Sequence, residues 1–400
     1  MHTVAIIGAA YGDEGKGLAT DFVCDYLKKK LNTSNGAVAR FQGGAQSGHT
    51  VVTPEGKRHV FSHFGSGSLL GLSTILLKDF VCNPILFLKE YRELSSKIPK
   101  NDIPKVFIHP DCYITTPFEV IINRELERSR GNNRHGSIGV GFGETIEREE
   151  SGGVSLRYSD LFLSERLIKD KLKDISLYFS DRMVQLGIVG FDHKSARSLI
   201  SKNGDLLTTF SNFVKNTEAF SEKLNYDFLV FEGGQGLMLD KDWGDFPHVT
   251  RSRTGLTNIK NLFFDTGIEL DTVIYVMRAY MTRHGAGPFP NEEPKENYPK
   301  VIDHTNKTNE FQGSLRFAPL DFNKIVQFIE ADSWENGYHR SLYMMTCLDQ
   351  LNDKVKLAFG DDIHILDKQY FIDSARRINQ INSYGPTRDH VIKKGGVSIV

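Results

Sequence analysis

The chain has 400 residues, and its 49 basic and 50 acidic side chains nearly cancel, to a net charge of −1. That balance excludes a broadly basic surface for coating nucleic acid, while leaving room for a local anion pocket. With 40% hydrophobic and 25% charged residues the composition is that of an ordinary globular protein, and no apolar run approaches the roughly 20 residues of a membrane helix.

The first element is a strand, Thr3–Ile7, a β-branched apolar run. It breaks into Gly8-Ala9-Ala10-Tyr11-Gly12-Asp13-Glu14-Gly15-Lys16-Gly17, after which Leu18, Phe22, Tyr26 and Leu27 fall at helical spacing. A strand feeding a glycine loop that opens a helix builds an anion site. Glycines admit backbone N–H groups, the helix start adds partial positive charge, and Lys16 can add a full one. The loop is not a Walker P-loop, because the glycine spacing is too long and Gly17 stands where Ser or Thr is needed. Asp13 and Glu14 beside a phosphate cradle suggest a metal ligand or a base. Lys28-Lys29-Lys30 suit a helix C-terminus. A second strand, Ala37–Phe41, runs into Gly43-Gly44-Ala45-Gln46-Ser47-Gly48-His49-Thr50.

Val51–Phe61 reads as a hairpin with Pro54 and Gly56 at the turn. Strands follow at Ser73–Phe80 and Lys105–Ile108. Helices are expected from Pro84 to about Lys97 and over Pro117–Arg130. Gly131–Gly143 is a second glycine-rich loop, and residues 160–225 read as a charged amphipathic insert, mostly helical, with Leu161, Ile168 and Leu172 on one face and a similar pattern over Ser211–Leu224. Tyr226–Phe231 is a nearly all-apolar strand, so a central one, with Glu232-Gly233-Gly234-Gln235-Gly236 at its C-terminal end, where ligands of open α/β sheets sit. The Gln235 amide can both donate and accept, which suits a purine edge. Further strands are expected at Thr272–Met277 and Leu342–Thr346. The four cysteines, Cys24, Cys82, Cys112 and Cys347, lack C-x-x-C spacing. Structural zinc and disulfides are therefore not expected, and reduced thiols in a cytoplasmic setting fit. The chain enters its first strand at once, so no signal peptide is expected. Four hundred residues suffice for one elaborated domain spanning 1–400.

G-D-E-G-K-G followed by R-F-Q-G-G-x-x-x-G-H-T resembles the adenylosuccinate synthetases, as do Phe231–Gly236 and Thr282-Arg283-His284-Gly285-Ala286-Gly287-Pro288-Phe289-Pro290. The resemblance runs from residue 3 to about residue 390. It implies an α/β fold, a mostly parallel central sheet flanked by helices in the P-loop-like synthetase arrangement. It implies a ligase that joins L-aspartate to carbon 6 of a purine nucleotide after phosphorylating the 6-oxygen. Asp13 would be the general base and a Mg²⁺ ligand, His49 would stabilise the transferring phosphoryl group, and the Gly48 carbonyl would share the metal. Lys16, with Gly12, Glu14, Gly15, Gly17, Gly48 and Thr50, would hold the triphosphate. Gln46, in place of a family Asn, would join Ser137, Ile138, Gln235 and Thr250 around the monophosphate substrate.

The departures lie elsewhere. Ile138 and Val140 stand where the family has Thr and Arg. Asn309–Arg316 occupies the place of an arginine-rich aspartate loop, of which Gly313 and Arg316 survive, the latter also near the triphosphate. Thr346-Cys347-Leu348-Asp349 matches T-K-L-D, a guanine-reading motif, with Cys347 in place of Lys. Asp349 would accept from the base, beside Gly385 of Ser383-Tyr384-Gly385-Pro386-Thr387-Arg388. In the family an arginine crosses a dimer interface, here Arg148 or Arg157, which implies a homodimer. The expected reaction is IMP to adenylosuccinate with GTP. The alternative is dGMP with ATP, dATP or GTP, a branch that serves diaminopurine DNA. Asp13, Lys16 and His49 together argue against a nucleotide-sensing regulator without catalysis.

Overall fold

The computed structural model describes residues 1–188, 205–221, 225–267, 269–306, 308, 310–338, 340–378 and 380–400. Its strands β1 (His2–Gly8), β2 (Gly36–Arg40), β3 (Ser73–Leu76), β4 (Val106–Ile108), β5 (Glu218–Ala219), β6 (Phe228–Gly236), β7 (Thr272–Arg278), β8 (Ser341–Thr346), β9 (Ile381–Ser383) and β10 (Val391–Lys393) make one ten-stranded sheet. The spatial order is β10-β9-β8-β7-β1-β6-β2-β3-β4-β5. Every neighbouring pair is parallel except β9 with β10. This is the expected mostly parallel sheet flanked by helices.

The central position of β1 follows from its residues. Val4, Ala5, Ile6 and Ile7 are fully buried, as only a strand covered on both faces allows. Helix α1 (Lys16–Leu31) lays Ala19, Val23, Cys24 and Leu27 on one face of the sheet against Val4, Ile6 and Val38. Its entry residue, Gly15, has φ of 92°, a left-handed conformation that glycine adopts without steric cost. The parallel strands all end on one edge of the sheet, so the β1 loop, the glycine run of β6 and Thr346 of β8 meet there.

The hairpin pairs His49–Val52 with Arg58–Phe61. Helix α2 (Pro84–Ser95) begins under an Asn83 cap, and α3 (Pro117–Arg130) begins under a Thr116–Glu119 capping box. The second glycine loop is shorter than its composition suggests. A helix, α4 (Phe142–Glu150), starts at Phe142, because the left-handed Gly141 ends the loop and Glu144 and Arg148 then face inward. Strand β6 likewise runs on through Gly236 rather than ending at Phe231.

The charged stretch at 160–225 holds α5 (Glu165–Gln185) and α6 (Leu206–Lys215), with residues 189–204 and 222–224 outside the described residues. Ile168, Ile175, Phe179 and Phe213 pack against Phe87, Ile122 and Leu126 of α2 and α3. The helical pattern read over Ser211–Leu224 stops at Lys215, and Glu218–Ala219 joins the main sheet beside β4.

Arg148 is fully buried. It donates to Glu119 (2.8 Å), Glu149 (3.0 Å) and the Ile114 carbonyl (3.2 Å), and also to the Val154 carbonyl. A guanidinium so enclosed cannot cross an interface, so the choice left open between Arg148 and Arg157 closes against Arg148. Arg157 is 36% exposed, pairs with Asp111 at 3.0 Å and lies over Tyr113. Arg148→Ala is expected to cost about 3–5 kcal/mol, since it strands the buried Glu119 carboxylate. Arg157→Ala is expected to cost at most about 1 kcal/mol. Urea denaturation of both variants checks this, and equal losses would contradict it.

Candidate active site

Three glycine segments are driven into contact at the sheet edge. A side chain at Gly17 would meet the Thr50 carbonyl at 2.6 Å, and one at Gly236 would meet the Ala10 carbonyl at 2.2 Å. Glycine at these positions lets α1 press on the His49 strand and β6 press on the β1 loop. Between the loops lies a cavity of about 440 Å³. Nine of the expected residues line it: Gly12, Asp13, Gln46, Gly48, His49, Ser137, Ile138, Gln235 and Thr250. Asp13 and His49 therefore face one space. One Asp13 oxygen accepts from Asn306 at 3.4 Å, and the other lies 3.9 Å from His284 Nε2.

His49 is fixed from behind. Its Nδ1 is 2.7 Å from Glu232 Oε1, and its Nε2 is 3.3 Å from the Gly234 carbonyl. Glu232 is fully buried. It also accepts from the Ser66 N–H at 3.0 Å and from the Ser66 hydroxyl, and it lies 3.9 Å from the buried Arg40 of the adjacent strand. Burial alone would raise the Glu232 carboxyl, but His49, Arg40 and the hydrogen bonds prevail and hold it down at about 2. Burial lowers the His49 ring from its usual value, against the pull of Glu232.

Several polar groups around the cavity have no protein partner among the described residues. They are both amide atoms of Gln46, Ser47 Oγ, His248 Nδ1, His284 Nδ1 and Arg283 Nε. Buried polar atoms left open in this way mark a surface built for a polar ligand. Among the described residues no three His, Cys, Asp or Glu side chains gather as a metal cage. Asp13 and the Gly48 backbone on the same wall nonetheless suit Mg²⁺, which is commonly held by one carboxylate and by substrate oxygens.

Other expected residues are placed differently. Lys16 does not line the cavity. Its ammonium is buried against Glu14 at 3.0 Å and the Gly12 carbonyl at 2.9 Å. Glu14 in turn accepts from the N–H groups of Ala10 (3.1 Å) and Gly12 (2.7 Å), so its carboxylate takes donors that were expected to face a triphosphate. Burial opposes the Glu14 charge, but Lys16 and the Gly12 N–H bring its carboxyl below the usual value. Gly15 packs against Thr346, whose hydroxyl donates to the Glu14 carbonyl at 2.7 Å, so β8 braces the loop. Thr50 lies outside the cavity lining and bonds Thr305 at 2.8 Å.

Arg316 requires a correction. Its guanidinium forks onto Glu292 (2.9 and 2.5 Å), donates to the carbonyls of Gly285 (3.1 Å) and Gly287 (2.9 Å), and covers the Phe289 ring. Four of its five N–H donors are engaged in this way, and it does not line the cavity. Gly313 does not line it either; the loop contributes Gln312, while residue 309 lies outside the described residues. Asp349 lies just beyond β8, near His390 and Lys368, and partial desolvation of its carboxyl outweighs a backbone hydrogen bond and these cations and raises it. Gly385 packs directly on the His390 ring, so the two segments expected to read a base lie together, away from the cavity.

Sequence reasoning overlooked the roles of Glu232, Arg283, His284, Thr305, Asn306, His135 and His248. Glu232 stood inside a quoted motif, but only the strand register, which sets it beside Arg40, shows why it is there.

The Glu232 shift gives a pH test. A carboxyl at about 2 when folded, against 4.5 ordinarily, contributes stability that is complete above 4.5 and lost as pH falls towards 2. The lowered His49 ring works in the same direction. Glu232→Gln is expected to be less stable than the parent at pH 7 and to lose less on going from pH 5 to 3. Urea midpoints at those pH values check this; an unchanged acid dependence would contradict it.

Residues 5–316 match the family model described as adenylosuccinate synthetase. The chain is 30% identical over 367 residues to the adenylosuccinate synthetase of Actinobacillus succinogenes, covering 90% of this chain and 80% of that one. It is 32% identical over 292 residues to that of Neisseria gonorrhoeae, covering 72% of this chain and 65% of that one. The fold superposes on fully ligated adenylosuccinate synthetase from Plasmodium falciparum with a TM-score of 0.73 at 19% identity, covering 98% of this chain and 100% of that one. It superposes on the succinoaminodeoxyadenylate synthetase (PurZ) of cyanophage S-2L, solved with dGMP and dATP, with a TM-score of 0.63 at 15% identity, covering 98% and 95%. The chain belongs to the adenylosuccinate synthetase family of C–N bond-forming ligases.

Proposed function

We propose that the protein joins L-aspartate to carbon 6 of a 6-oxopurine nucleoside monophosphate, converting IMP to adenylosuccinate with GTP as phosphoryl donor. The observation that carries this is the shared cavity. One carboxylate, Asp13, and one braced imidazole, His49, face the same space, with open amide and hydroxyl groups around them.

The 6-oxygen of a purine is a poor leaving group, so it must first become a phosphate ester. Asp13 takes the N1 proton and directs electron density to that oxygen. His49, held by Glu232, donates to the phosphoryl group as negative charge gathers on it. Mg²⁺, held at Asp13 and the Gly48 carbonyl, would neutralise phosphate charge. Lys16 and the N–H groups of Gly12–Gly17 turn from Glu14 to the triphosphate, whose base extends towards Asp349 and Gly385. The amine of aspartate then displaces phosphate at carbon 6. The reading carries with it a homodimer in the cytoplasm.

The second reading is dGMP with ATP or dATP. It is favoured by the engagement of Arg316 with Glu292, by the apolar Ile138 on the cavity wall, and by Cys347 in place of a base-packing lysine.

Phosphate release with aspartate, Mg²⁺ and each of IMP or dGMP, against GTP, ATP and dATP, separates the two. IMP with GTP is expected to give the highest kcat/KM. Asp13→Asn is expected to lower turnover by about 10²–10⁴-fold. If no 6-oxopurine monophosphate turns over, the proposal fails.

A further inference from the structure

Two histidines meet on the cavity wall. His135, from the loop before α4, and His248, from the segment before α7 (Thr257–Thr266), stand with ring centroids 5.8 Å apart at an angle of 72°. Two residues after each comes a hydroxyl on the same wall, Ser137 and Thr250. The corner is electropositive. Arg130 and Arg251 line it, and the buried Arg283 holds the His248 carbonyl at 3.0 Å. Of the facing carboxylates, Glu127 takes Arg130 at 2.8 Å and the Gly136 N–H at 2.9 Å and Glu147 takes Arg251, while Glu144 lies 3.6 Å from Arg182 with its Oε2 lacking a hydrogen-bond partner among the described residues. His248 Nδ1 is buried without a partner. Burial, Arg130, His248 and Arg251 all lower the His135 ring, against Glu127. Two imidazoles among three arginines form a field that an anion relieves.

We infer that His135 and His248 are further phosphate-seating residues of this chain, adding donors beside Ser137 and Thr250, where the resemblance already places the monophosphate, in place of those that Ile138 and Val140 lack. This rests on the reading given under Proposed function. A phosphate monoester fits better than a carboxylate, because two neighbouring imidazoles and two hydroxyls, one of them accepting from Asn123 at 2.9 Å, lie on one wall beside the arginines and three phosphate oxygens can answer several donors.

Calorimetry on the full chain at pH 7 tests it, using IMP and dGMP against the uncharged inosine and deoxyguanosine. His135→Ala and His248→Ala are each expected to weaken both nucleotides roughly tenfold or more and to leave both nucleosides unchanged. Unchanged nucleotide affinity in both variants would overturn the inference, as would parallel loss of nucleotide and nucleoside, which a general disturbance of the fold would produce. Those results would leave the proposed function standing if the parent binds IMP or dGMP. A parent that binds neither overturns both. His135→Gln and His248→Gln, which keep an N–H donor, are expected to recover part of the nucleotide affinity; variants no better than Ala, in a fold that still binds nucleosides, count against a hydrogen-bonding role.

Discussion

The site depends on one buried carboxylate. Glu232 sits where an unpaired charge would cost several kcal/mol, and it is tolerable only because His49, Ser66 and Arg40 surround it. Those partners come from three separated stretches of chain: β2, the hairpin and the loop that follows it. Satisfying one charge therefore fixes the relative position of all three. It also selects a single orientation for His49, whose ring cannot turn without breaking a 2.7 Å contact to Glu232. Stability and catalytic geometry are here the same interaction seen from two sides.

The glycine loop works in the same way at smaller scale. Its N–H groups would be unsatisfied without an acceptor, and Glu14 supplies one from within the loop, with Lys16 balancing the charge. Thr346, braced against the Glu14 carbonyl, ties this arrangement to β8 and so to the base-reading segment after it. A triphosphate would have to draw the Gly12 N–H and Lys16 away from Glu14, which holds them in its absence.

Much of this was legible in the sequence. Continuous apolar runs marked the buried parallel strands β1, β6, β7 and β8, because a strand covered on both faces has no reason to alternate. The glycine spacing marked the loops, and the resemblance singled out Asp13 and His49, which line one cavity. What was not legible depends on partners far away along the chain. The start of the helix over Phe142–Glu150 fell inside the glycine-rich stretch read as loop to Gly143, and the bond from Arg148 to Glu119 on α3 is a partner that no local pattern shows. Strand β5 was hidden inside a helical pattern, since a two-residue edge strand carries no periodicity. His135 and His248 lie 113 positions apart in the sequence, and nothing local links them.

Arginine was the residue most easily misjudged, and the reason is physical. A guanidinium has five donors and cannot give up its charge, so each one taken out of water must find acceptors wherever the fold offers them. Arg148 spends its donors on two carboxylates and two carbonyls, Arg316 on Glu292 and two carbonyls. Both sit in segments where the resemblance offers arginines as ligand contacts, and both serve instead to hold loops together. Arg283 differs. Its NH groups reach the carbonyls of Pro288 and His248 and its plane covers Tyr11, but its Nε stays open beside the cavity. Position in a motif shows where an arginine is, whereas its unspent donors show whether it can still bind. By that measure the donors left open to a substrate here lie on the cavity wall at Arg283 and His248 rather than in the loop that ends at Arg316.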